Sequence, residues 1–180
     1  MNLDPSVVLA LDLSTTTGWA VGKPGDNPPC WGAVILPKEK GRGAVAAAFE
    51  DWLDDMLDRY KPSRVVYEAP LPPNLQGDRE TCYITYGLAV ATEACAFRAG
   101  LHQPYSHSST TIRSAVIGRA HLTEEEKRIR PRVTVKTAIV APWIKAQGWD
   151  VPENNACDAI VVWAYSCGVR HAGFGRRRVA

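Results

Sequence analysis

Residues 7–22, "VVLALDLSTTTGWAVG", decide the fold. The run opens apolar and β-branched, as a buried strand does, and carries one aspartate, Asp12, near its end. A charge in such a run costs free energy unless something pairs with it. Hydroxyls and a glycine follow at once and read as a turn into a second strand, "TGWAVG", residues 17–22. "CWGAVILP", residues 30–37, is a third strand, with the Pro/Gly/Asn-rich "KPGDNPP" as the turn before it. Three sequential strands joined by short turns make an antiparallel meander.

Downstream the period changes. Val45, Phe49, Trp52, Leu53, Met56, Leu57 and Tyr60 recur at three- and four-residue spacing, while Asp51, Asp54, Asp55 and Asp58 lie mainly off that stripe. The pattern predicts an amphipathic helix over 44–60 with Trp52 in the core. "SRVVYEAP", residues 63–70, is a strand stopped by Pro70, and a strand after a helical crossover pairs parallel with the first. After the loop "LPPNLQGD", a second helix over 79–99 carries Ile84, Leu88, Ala91 and Cys95 on one stripe. "HQPYSHSS" is a short final strand, "TTIRSAVIG" a short helix ending at Gly118, and 119–132 an exposed basic-acidic loop. "VTVKTAIVAPWIKAQGW" is helical in pattern with a break expected at Pro142. "NACDAIVVWAYSCGVRHAG" is a closing helix, with Asn154 or Asn155 as its N-cap. The order β-β-β-α-β-α-β-α-α describes an α/β fold: a mixed sheet flanked by helices.

The chain has 180 residues, 46% of them hydrophobic and 22% charged, which fits one ordinary globular domain. No apolar run approaches the roughly 20 residues of a membrane span, and the N-terminus lacks the basic and apolar regions of a signal peptide. The expectation is a cytoplasmic protein with no membrane partner. Cys30, Cys82, Cys95, Cys157 and Cys167 form no C-x-x-C pair and are expected to be reduced, buried, small apolar residues. The net charge of +2 does not argue for nucleic acid, but its distribution bears on it. Arg119, Lys127, Arg128, Arg130, Arg132 and Lys136 crowd one stretch, and Arg176, Arg177 and Arg178 end the chain. Two readings stay open: a solvated loop interrupted by Glu124, Glu125 and Glu126, or a phosphate-contacting surface.

Three acids end three apolar elements: Asp12 on the first strand, Glu68 on the fourth, Asp158 in the first turns of the last helix. Each has a local explanation: an Asp opening a turn, a Glu at an exposed strand end, an Asp at the positive end of a helix dipole. Together they say more. A right-handed crossover makes strands one and four neighbours, so Asp12 and Glu68 lie side by side, and a helix packed over that edge brings Asp158 to them. Like charges so placed raise one another's pKa unless cations hold them. Hard divalent cations prefer carboxylate oxygens, and two such ions about 4 Å apart clamp the attacking and leaving oxygens of a phosphodiester. Three carboxylates against two divalent ions leave a net +1, which suits an anionic phosphate.

"LALDLSTTTGWAVG", "VVYEAP" and "NNACDAIVVWAYS" resemble, in order and spacing over nearly the whole chain, the three acidic motifs of the RuvC-type Holliday junction resolvases, in their phage-like variety. The resemblance implies an RNase H-like fold over 1–180: a five-stranded mixed sheet, three antiparallel strands then parallel ones, with a flexible basic loop 119–132 and a basic tail 174–180. It implies a crossover junction endonuclease that uses Mg²⁺ or Mn²⁺, two per active site, and cleaves four-way DNA junctions as a homodimer by paired nicks. Asp12, Glu68 and Asp158 match the metal-binding acids, with Asp12 bridging both ions. Lys136 matches a family lysine that would stabilise the scissile phosphate. Leu71 falls in the slot of a wedge that opens the junction, and Arg119, Lys127, Arg128, Arg130 and Arg132 would contact DNA. The chain departs from the family where a fourth ligand, Asp or His, stands one turn before the last acid: here that residue is Asn155, with Glu153 as the alternative. The turn from Asp12 to Gly18 is one residue tighter than in bacterial relatives.

Two other classes use the same features. Sugar kinases and actin-like ATPases hold nucleotide phosphates with a turn similar to "DLSTTTG", but they need two such domains and a glycine-rich adenosine motif that does not follow here. A non-catalytic nucleic-acid-binding module would be served by the basic stretch and by Asn155. His102, His107, His121 and His171 show no ligand spacing, and Ser14 to Thr17 read as turn and cap residues rather than nucleophiles.

Overall fold

The computed structural model describes residues 4–152 and 154–171. Five strands form one sheet in the order β3-β2-β1-β4-β5. They are β1 (Asp4–Asp12), β2 (Thr16–Gly22), β3 (Cys30–Ile35), β4 (Pro62–Glu68) and β5 (Tyr105–His107). β1, β2 and β3 pair antiparallel, and β4 joins β1 and β5 in parallel, as the meander and the crossover require. The helices are α1 (Arg42–Tyr60), α2 (Arg79–Arg98), α3 (Ser109–Val116), α4 (Glu124–Arg128), α5 (Ala141–Ala146) and α6 (Asn154–Ser166).

The two-residue alternation of β1 sorts the core into two layers. Leu9, Leu11 and Leu13 face α1 and α2, where Val45, Phe49, Leu53, Met56, Leu57, Leu88, Ala91 and Cys95 are buried, while Trp52, Tyr60 and Ile84 pack partly buried at the margin. Val8 and Ala10 face the other way, toward α6, α3 and α5. Asp12 and Glu68 share the parity of Ala10 and Val66, so both strands end with an acid directed toward the α6 layer.

α6 is buried on every side from Ala156 to Ala164, which is why its sequence shows little amphipathicity. Its Trp163 indole N–H donates to the Gly22 carbonyl at 3.2 Å. The approach of α6 to the sheet depends on Gly18. A Cβ there would lie 2.0 Å from the Asn155 carbonyl oxygen, so only hydrogen lets the first turn of α6 sit on β2. Gly18 pairs with Asp12, so this close approach carries Asn155 and Asp158 onto the end of β1.

Three expectations need correction. Residues 119–132 include a short helix, α4, closed by a capping box in which Thr123 accepts from the Glu126 N–H and Glu126 accepts from the Thr123 N–H. Lys136–Val140 form a π-helical turn ahead of α5. The division expected at Pro142 is present: the π-helical turn ends at Val140 and α5 starts at Ala141, with Pro142 in its first turn, where proline is tolerated. Of the cysteines, Cys95 and Cys157 are buried as expected, Cys82 and Cys167 are partly buried, and Cys30 is exposed; all are free thiols.

Candidate functional site

Leu11 of β1 and Tyr67 of β4 are register partners, so the next residues, Asp12 and Glu68, end the two strands side by side. Asp158 comes over them from the second turn of α6 and is only 5% exposed. The three carboxyl groups are close enough to act on one another. Asp12 is pushed up from 3.8 to about 7, first by burial, then by the charges of Asp158 and Glu68. Glu68 is also raised, again chiefly by burial, with Arg113 and a hydrogen bond from Ser109 working against the rise.

Two cations stand among the acids. Lys136 Nζ lies 2.8 Å from Asp158 Oδ2 and 3.4 Å from Asn155 Oδ1. Arg113 Nη2 lies 3.2 Å from Asp158 Oδ1 and 3.6 Å from Glu68 Oε2. Lys136 was legible in the sequence; Arg113 was not. α3 presents it because Ile112, Ala115 and Val116 turn into the core and leave position 113 facing the acids, while Ser108 caps the helix through the Thr111 N–H. The signal available was a lone arginine inside an otherwise neutral short helix, "STTIRSAV".

Three carboxylates and two cations leave a charge of −1 when all are ionised, and burial pushes both Asp12 and Glu68 toward neutrality, Asp12 without an ion pair to either cation. The donor set is therefore right in kind for one hard divalent cation: oxygen ligands, excess negative charge, and a carboxyl whose ionisation a cation would favour. Among the described residues no three His, Cys, Asp or Glu side chains are spaced to enclose an ion as they stand. Asn155 is placed one turn before Asp158, with its amide on Lys136; Glu153 lies outside the described residues, as does the tail with Arg176 to Arg178.

Beside the acids a cavity of about 220 Å³ is lined by Asp12, Glu68, Leu71, Leu75, Gln76 and Thr85. Leu71 stands at its rim, 50% exposed. The basic stretch divides. Arg119 is held by Glu126 in a two-pronged ion pair at 2.8 Å and also donates to the Ala138 carbonyl, so it ties α4 to the π-helical turn. Lys127, Arg130 and Arg132 line a separate cleft of about 650 Å³, and Arg128 is exposed. In the turn after β1, Ser14 Oγ accepts from the Thr16 N–H at 3.1 Å and Thr17 Oγ1 donates to the Ser14 carbonyl at 2.6 Å. These hydroxyls are committed to closing the turn.

No protein-family model matches the chain, and no curated protein matches it. Solved structures do. Thermus thermophilus RuvC in complex with Holliday junction substrate superposes with a TM-score of 0.65 at 19% identity, over 87% of this chain and 90% of that one. A second Thermus thermophilus RuvC structure gives 0.65 at 18% identity, over 91% and 98%. The yeast mitochondrial Holliday junction resolvase Ydc2 gives 0.54 at 14% identity, over 89% and 77%. With its five-stranded mixed sheet and its helices on both faces, the chain has the RNase H-like fold of the RuvC resolvases.

Proposed function

We propose that this protein is a divalent-metal-dependent endonuclease of branched DNA, with the four-way junction as its substrate and paired nicks by a homodimer as its outcome. One observation carries the reading: Asp12, Glu68 and Asp158, from β1, β4 and α6, meet at one end of the sheet in a fold shared with junction resolvases, with Asp12 pushed up to about 7 by burial and by the charges of the other two acids. Asp12, Glu68 and Asp158 would hold Mg²⁺ or Mn²⁺, with Asn155 as a neutral oxygen donor beside them. Bound there, the metal supplies an acidified water and charge stabilisation at the phosphodiester.

The protein's own residues do the rest. Lys136 is anchored on Asp158 and brings a fixed positive charge to the site, where a developing negative charge is stabilised without reorganisation. The charge count bears on stoichiometry. Counting Lys136 against the three acids, one divalent ion brings the site to neutrality and a second to +2, which is electrostatically acceptable only together with the anionic DNA backbone. The two-ion state is thus a property of the complex with DNA. Lys127, Arg128, Arg130 and Arg132 would supply phosphate contacts, and Leu71, which lines the cavity beside the acids, would wedge between bases.

The homodimer reading is supported by α2. Tyr83, Tyr86, Val90 and Phe97 fall on one face of that helix and are exposed, Phe97 to 82%. An apolar stripe of this kind marks an association surface.

The test is a cleavage panel of four-way junction, flap, fork and linear duplex with Mg²⁺, with Mn²⁺ and with EDTA, run with wild type and Asp12→Asn. Metal-dependent nicking of the junction that Asp12→Asn abolishes is the expected result. Junction binding with no cleavage under any metal would favour a non-catalytic binding module.

A further inference from the structure

We propose that Arg113 is a resident counter-cation that a divalent ion must displace: its guanidinium bridges Glu68 and Asp158 in the metal-free protein and leaves them when the ion enters. This rests on the reading that the three acids hold a metal.

The geometry singles out Arg113. Lys136 touches Asp158 and Asn155, both on α6. Arg113 alone spans elements, reaching Asp158 on α6 and Glu68 on β4. Both Asp158 oxygens are therefore engaged, Oδ1 by arginine and Oδ2 by lysine. An ion shared by Glu68 and Asp158 claims the space of the guanidinium and repels it, and at such separations and partial burial that repulsion is strong. The backbone need not move. Ile112, Ala115 and Val116 keep α3 in the core, and the arginine side chain has the rotamer freedom to withdraw. The effect of the bridge is that the apo site is held together without metal, and that loading sets free a guanidinium suited to bidentate contact with a phosphodiester.

The experiment measures Mn²⁺ binding without DNA, by electron paramagnetic resonance titration of wild type, Arg113→Gln, Arg113→Lys and Asp12→Asn, with melting temperatures in EDTA and in saturating Mn²⁺. Arg113→Gln should bind Mn²⁺ about tenfold more tightly than wild type, roughly 1.4 kcal/mol. Its melting temperature should be lower in EDTA, and the gap should close with Mn²⁺. Arg113→Lys, which keeps the charge but loses the two-acid bridge, should lie between them and decides the matter if the Gln variant does not fold. Equal or weaker Mn²⁺ binding by the Arg113 variants, with wild-type binding that Asp12→Asn abolishes, overturns the exchange and leaves the metal site standing. No binding by wild type or any Arg113 variant removes the metal site, and the exchange falls with it.

Discussion

Replacing Asp12 by Asn should stabilise the metal-free protein, an unusual direction for a change at a site. Burial and the neighbouring acids push the Asp12 carboxyl of the folded protein up from 3.8 to about 7. Because this pKa is raised, the native state holds its proton more tightly than the unfolded state between those values. Stability therefore falls as pH rises through that window, and the penalty is complete above about pH 7. A shift of that size corresponds to about 4 kcal/mol. Partial solvent access and relaxation of Lys136 and Arg113 toward the charge reduce the realised penalty to about 2 kcal/mol. For a chain of this length that is a rise of about 4–8 °C in melting temperature for Asp12→Asn at pH 8 in EDTA. At pH 4.5, linkage leaves only about half of the difference. Mg²⁺ at ten times its dissociation constant should return about 1.4 kcal/mol to the wild type and shrink the gap. The assay is calorimetric melting of both proteins at the two pH values, with and without Mg²⁺. Equal melting temperatures at pH 8, or a difference unchanged at pH 4.5, would refute the convergence of the acids.

Three further outcomes follow from the same geometry. Gly18→Ala should cost about 3 kcal/mol or more, seen as a lower urea midpoint, because the new Cβ meets the Asn155 carbonyl and lifts α6 from β2; an unchanged midpoint would mean α6 does not rest there. Arg119→Gln should lower the melting temperature by about 2 °C at neutral pH. Glu126 is held down to about 2 by Arg119, so the pair's contribution is present above about pH 4.5, and the gap should close as pH falls toward 2. Asn155→Asp adds a carboxylate next to Lys136, so nicking should saturate at lower Mg²⁺ and metal-free melting should fall; a metal curve moved instead by Glu153→Gln would transfer the fourth position to Glu153.

The sheet was legible because its determinants are local. Apolar runs, a proline stop after Glu68 and turn residues between strands fix parity and neighbours, and the crossover rule makes β1 and β4 adjacent, so Asp12 beside Glu68 follows from pattern alone. Asp158 needed one long-range step, that α6 packs on this edge. The residue enabling that step, Gly18, stood in the opening stretch as an isolated glycine in a strand, a mark of close backbone approach. Arg113 was illegible for a different reason. A single arginine in a short helix has no period and no spacing, and its role comes from three elements meeting. The α4 capping box lay in plain view as "TEEE", but the charge content of the stretch hid it.

The cations change what the acids mean. Three carboxylates alone would demand two metal ions to neutralise them. With Arg113 and Lys136 among them the deficit is a single charge, and it rests on Asp12, the acid neither cation contacts closely. Asn155 fits that arithmetic: where a fourth acid would add another negative charge, Asn155 offers an oxygen without one, and its amide supports Lys136 instead. Once an ion has displaced Arg113, the three acids, Lys136 and that ion sum to zero, so a second ion enters only when phosphate arrives. Cleavage should therefore rise with metal concentration more steeply than metal binding to the free protein does, because the second ion and the DNA backbone enter together. Measuring both curves on one preparation decides it: parallel curves would mean that the two ions load without DNA, and that the cations do not set the charge of the site.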